Sequence, residues 1–148
     1  MVSIKKVHTM VEKVIDRSNA IYVKTVPRKN RGVFANIPFK VGEVIERAPT
    51  WGFDDNQGKL LDRTGIFEYY FVRNDRHLTG GSLAGYVVFG WISIANHSLI
   101  PNAQIMWTDG ASGAWASIVA IKDIQVDDEI THRYTNISAY PDRSNFID

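Results

Sequence analysis

The chain has no cysteine in its 148 residues, which removes disulfide bridges and thiolate metal sites together. Histidine is scarce as well. His8, His77, His97 and His132 are the only four, and no two of them stand at the i, i+4 spacing of a helical metal pair, so no metal is expected. No apolar run approaches the roughly 20 residues that cross a bilayer, and the first residues lack the charged start and small-residue cleavage site of a secretory signal. The expectation is a protein with no membrane partner, intracellular, in cytoplasm or nucleus. Excess charge of one sign is also lacking: a net charge of +1 argues against a surface built for a polyphosphate backbone, and so against direct nucleic-acid binding. The one basic cluster is Lys24, Arg28, Lys29 and Arg31. Such runs are commonly solvated turns, although a nucleic-acid contact would use the same residues.

With 45% hydrophobic residues, the length suits one compact domain with its own core. Ile4, Val7, Val11, Val14 and Ile15 recur at helical spacing, which marks residues 1–19 as an amphipathic segment ahead of a domain over 20–148. From Ala20 the period shortens towards two. Strands are expected at 21–26, 32–35, 43–48, 102–107, 115–121 and 129–133, with turns at 27–30 and 109–113. Residues 50–65 read as a loop, and 66–72 as an aromatic-rich strand or short helix. Many short strands without repeated strand–helix alternation indicate a mainly β fold and exclude a parallel nucleotide-binding sheet.

The most specific stretch is Asn96-His97-Ser98-Leu99-Ile100-Pro101-Asn102, which reads N-H-S-x-x-P-N. Five fixed residues at fixed spacing arise by chance in about one such sequence in ten thousand. The string resembles the cofactor-site motif of SET-domain protein lysine methyltransferases. Two further segments resemble that family in the right order: Arg31-Gly32-Val33-Phe34-Ala35 with Val41-Gly42-Glu43-Val44-Ile45 upstream, and Val126-Asp127-Asp128-Glu129-Ile130-Thr131-His132-Arg133-Tyr134 downstream. The likeness runs from about Tyr22 to Tyr140. It implies the SET-domain fold, a β-clip of short strands with few short helices and a threaded C-terminal segment.

The resemblance also implies a chemistry, methyl transfer from S-adenosylmethionine to a lysine of a histone or another protein. Such a displacement at a sulfonium methyl needs alignment and dryness more than a nucleophile or a metal. By resemblance, Asn96 receives the cofactor's amino group, the His97 main chain reads its adenine edge, and Tyr134 stands at the transfer centre. Asn30-Arg31-Gly32 takes the place of the family's glycine, any residue, glycine, with Asn30 expected to carry the positive φ. Asp127 likewise stands where a glycine is usual. Tyr140 and Phe146 are candidates to stack on the adenine or close the lysine channel. For the channel wall, Tyr69, Tyr70, Tyr86 and Trp91 are candidates, with core packing the competing role. Asp54, Asp55 and Glu68 offer charge that attracts a basic peptide. The expected partners are a protein or peptide lysine substrate and a second copy of the chain, because the tail from Thr135 to Asp148 is short for closing a channel alone. The altered Asn30 and Asp127 leave a second reading open, a non-catalytic SET-like module that binds peptide or cofactor.

Overall fold

The computed structural model describes residues 19–75 and 83–135. The amphipathic pattern of residues 1–19 therefore falls almost wholly outside the described residues. So do His8, His77, Tyr140, Phe146 and the tail beyond Thr135 that was expected to thread.

Among the described residues, eight strands form two four-stranded sheets. The first has the order β1 (Ile21–Val26), β2 (Asn30–Ala35), β8 (Glu129–His132) and β5 (Asn96–His97). The second has the order β4 (Gly85–Val88), β3 (Val44–Phe53), β7 (Gly113–Ala120) and β6 (Ala103–Gly110). All pairings are antiparallel except that of β5 with β8, which sets Asn96 beside Thr131 and His97 beside His132. A core of Val33, Ala35, Phe39, Ile45, Ile92, Ile105, Ile118, Ile124 and Ile130 fills the interior. Its β-branched bias is what half-buried pleated surfaces favour. The expected mainly β architecture of short strands with few short helices is what the described residues adopt.

The loop expected over 50–65 is largely strand and helix, and the strand-or-helix alternative left for 66–72 is resolved. Thr50 to Phe53 continue β3 because β4 supplies partners for them, Thr50 opposite Val88 through Phe53 opposite Gly85. Helix α1 (Asp55–Leu61) then follows directly. It starts on a capping box, in which the Asp54 side chain accepts from the Gln57 amide at 2.9 Å and the Gln57 side chain accepts from the Asp54 amide at 3.0 Å. Two orphan donors of the first turn are thereby satisfied, and that makes so short a polar helix stable. Of 66–72, residues up to Glu68 form a 3-10 turn (Gly65–Glu68), after which Phe71 makes a single bridge to Tyr86.

A second 3-10 turn, Trp91–Ile94, leads into β5. Its first amides are held from a distance: Glu46 on β3 accepts from Trp91 N at 3.1 Å and from Ile92 N at 2.9 Å. This carboxylate does for the turn what a local cap would otherwise do.

Candidate active site

Both ends of the N-H-S-x-x-P-N stretch reach across to β8. Asn102 clasps its backbone, with Nδ2 donating to Glu129 O at 2.8 Å and Oδ1 accepting from Thr131 N at 2.9 Å. Asn96 donates through Nδ2 to Arg31 O at 3.0 Å and to Glu129 Oε2 at 2.7 Å. Ser98 acts locally, its Oγ accepting from Ile100 N at 3.0 Å. The motif is therefore a long-range strap and not a self-contained polar turn.

His97 is buried, and its Nδ1 accepts from Tyr134 N at 3.0 Å. That bond fixes the tautomer with the proton on Nε2. Tyr134 in turn donates its phenol proton to Ala95 O at 3.0 Å. A phenol so bonded still accepts through its oxygen lone pairs. The rings of Phe71, His132, Tyr134 and His97 follow one another, with centroids 5.6, 5.1 and 5.2 Å apart. His132 is 3% exposed and neither ring nitrogen has a hydrogen-bond partner. Burial, first, and the neighbouring His97 push its pKa down to about 4; the Arg133 main chain offsets part of this without closing a hydrogen bond.

Two clefts meet at Tyr134. The larger, about 390 Å3, is walled by Tyr69, Tyr70, Phe71, Trp107, His132 and Tyr134, with Pro101, Gln104 and Ile121 also on its wall. The smaller, about 220 Å3, is lined by Arg28, Lys29, Asn30, Arg31, Ile94 and Asn96. Glu68, Tyr69, Ser93 and Tyr134 belong to both. One cleft is aromatic, the other polar and locally cationic, and Tyr134 is part of the wall between them.

The two positions that depart from the family's glycines both adopt glycine-like backbone: Asn30 has φ +65° and Asp127 φ +72°. Asparagine and aspartate tolerate that region best among residues with a Cβ. Gly32 lines neither cleft described here, but a Cβ on it would lie 2.6 Å from Glu129 Oε2 and 3.0 Å from Asn96 Nδ2. Glycine is needed there to seat that pair.

Among the channel candidates, Tyr69 faces both clefts, while Tyr86 and Trp91 line neither. Tyr86 is buried, its ring 5.1 Å from Trp107, and Trp91 is exposed at the start of its turn. The sequence reading put Arg31 at the cofactor site but did not place Arg28 and Lys29 beside it. Arg28, Lys29 and Arg31 rim the polar cleft because the β1–β2 turn folds over Asn96. Glu129 was also missed as a site residue, although its place in the closing motif was visible. No helix among the described residues is long and apolar enough to cross a membrane, and no cluster of three or more metal-ligating side chains occurs among them.

Comparison with known proteins places this geometry. No curated protein matches the sequence. Among solved structures, a Plasmodium falciparum protein assigned as a histone methyltransferase superposes with TM-score 0.61 at 23% identity, over 80% of this chain and 95% of the other. The Neurospora SET domain protein DIM-5, a histone lysine methyltransferase, superposes with TM-score 0.58 at 22% identity, over 78% of this chain and 52% of DIM-5. Apo ctPRC2 with a mutated Ezh2 gives TM-score 0.59 at 16% identity, over 85% of this chain and 16% of that one. At these identities the likeness is one of fold. The SET domain family model matches residues 30–135, from the asparagine of the first cleft turn to the residue after Tyr134. With the strap, the paired clefts and that match in agreement, the chain belongs to the SET-domain family.

Proposed function

We propose that the chain is an S-adenosylmethionine-dependent protein-lysine N-methyltransferase acting on a histone or another basic protein segment. The observation that carries this reading is the position of Tyr134, on the shared wall of a polar cleft and an aromatic one. S-adenosylmethionine supplies a methyl group on a sulfonium. Arg28, Lys29 and Arg31 suit its carboxylate, and Asn96 suits its ammonium, so the polar cleft has both the donors and the acceptor the molecule requires. Tyr69, Tyr70, Phe71 and Trp107 suit the aliphatic stem and cationic head of a lysine.

The chemistry asked of the chain is orientation. The Tyr134 hydroxyl, its proton directed at Ala95 O, presents an acceptor where polarised methyl and incoming amine would meet. The neighbouring sulfonium favours the neutral amine, because a like charge disfavours ammonium.

Calorimetric titration with S-adenosylhomocysteine tests the cofactor half without knowledge of the protein substrate. Wild type is expected to bind, and Asn96→Ala to lose most of that affinity. Transfer of labelled methyl from S-adenosylmethionine to core histones or a basic protein mixture tests the other half. A folded wild type that binds no S-adenosylhomocysteine would refute the proposal and leave a peptide-binding SET module as the alternative.

A further inference from the structure

We infer that Glu129 is a positioning residue that fixes which atom Asn96 shows to the polar cleft; this rests on the reading of that cleft as the cofactor site. An asparagine amide is two-faced, with an acceptor oxygen and a two-proton donor that exchange places on a flip. Asn96 has both Nδ2 protons committed, one to Arg31 O at 3.0 Å and one to Glu129 Oε2 at 2.7 Å. A main-chain carbonyl and an ionised carboxylate only accept. Flipping the amide would set Oδ1 against two acceptors at once. Asn96 therefore meets the cleft as an acceptor, which selects an ammonium or another donor over a carboxylate.

The carbonyl of Arg31 is a weaker lock, because a neutral hydrogen bond has about half the strength of a charge-assisted one. Glu129 is the stronger one, and the fold holds it unusually well. Asn102 grips the main chain directly after its side chain, at Glu129 O and Thr131 N. The register with β2 sets it beside Phe34. Above the pair the chain has Gly32, where any Cβ would press on Glu129 Oε2 and Asn96 Nδ2. The first, middle and last motifs thus converge on one hydrogen bond: glycine gives it room, asparagine makes it, glutamate directs it.

The decisive comparison is between Glu129→Gln and Glu129→Asp. Glutamine keeps the length but loses the charge, and its own amide can meet Asn96 with N–H2 as well as with Oε1, so the Asn96 amide is no longer held with its acceptor face to the cleft. Aspartate keeps the charge but is one methylene too short to reach. If orientation is the role, both variants lose at least tenfold in affinity for S-adenosylhomocysteine. Affinity for 5′-methylthioadenosine, which lacks the amino-acid end, then stays within about twofold, and thermal midpoints check that both variants fold. Wild-type affinity for S-adenosylhomocysteine in Glu129→Gln would overturn the inference. Full affinity in Glu129→Asp with loss in Glu129→Gln would overturn it too, because charge and not orientation would then be the role. Equal loss of both ligands would reduce Glu129 to a structural residue. A wild type that binds neither ligand would instead refute the cofactor reading itself.

Discussion

At the scale of single residues the site depends on hydrogen bonds whose direction is set. Tyr134 receives its position from His97 and the direction of its phenol proton from Ala95. Tyr134→Phe removes the hydroxyl and keeps the ring, so binding and chemistry separate. S-adenosylhomocysteine affinity is expected to stay within a few-fold of wild type, while kcat for methyl transfer falls about 100-fold, the usual effect of losing one hydrogen bond made in the transition state. Equal kcat in the two proteins would remove Tyr134 from the chemistry. Backbone strain makes a second residue-scale prediction. Arg28 holds φ +67° at the β1–β2 turn, a region that costs a residue with a Cβ about 1 kcal/mol or more. Arg28→Gly relieves it, partly offset by the greater freedom of glycine in the unfolded chain. The expected gain is about 0.5–1 kcal/mol in urea unfolding. Asn30 and Asp127 share that backbone region but are suited to it, and Asp127 also accepts from the Tyr22 hydroxyl at 2.7 Å. Their replacement by glycine therefore brings no comparable gain.

At the scale of elements, the strap between the Asn96 loop and β8 joins fold and site. Asn102→Ala leaves the part-buried Glu129 carbonyl and Thr131 amide unpaired, a loss of about 2–3 kcal/mol. It also loosens the strand that carries Glu129, so affinity for S-adenosylhomocysteine should fall together with the unfolding midpoint. A midpoint that drops with no change in affinity would uncouple the strap from the cleft. This scale also shows what the sequence made legible. The strands at 21–26 and 129–132 stand out because turn residues and β-branched runs bound them. Asn96 stands out because its motif is rare, and Tyr134 because the segment it ends follows that motif in the expected order. Helix α1 did not, since seven residues give too few turns for an apolar period, and the D-x-x-Q box alone carried the signal. Nor did the role of Glu129 or of the basic turn, because the partner of both, Asn96, lies 33 residues from Glu129 and 65 from Arg31, and no local pattern encodes such pairings. Tyr69, Tyr86 and Trp91 were indistinguishable in sequence for the same reason: only tertiary placement gives Tyr69 the clefts, Tyr86 the core and Trp91 the surface.

At the scale of the whole molecule, His132 makes stability depend on acid. Its ring is buried between Phe71 and Tyr134 with both nitrogens unpartnered, and the folded state holds its pKa at about 4 against 6.5 for the free side chain. Above about pH 6.5 the ring is neutral in both folded and unfolded chains, so the full contribution is present. As pH falls from there, the unfolded chain takes up a proton that the folded chain refuses, and stability declines until about pH 4, where the folded ring also titrates. The span corresponds to a loss on the order of 3 kcal/mol, a large part of the margin of a domain this size. Unfolding free energies measured by urea between pH 4 and 8 should show that slope. His132→Phe removes the titrating ring and two unpartnered nitrogens while keeping an aromatic surface against Phe71. It should raise stability at pH 7 by about 1 kcal/mol and flatten the acid limb in proportion. An acid limb unchanged in the variant would assign the dependence to other groups. A flattened limb together with unaltered S-adenosylhomocysteine binding would show that the ring beneath Tyr134 limits stability without serving the polar cleft.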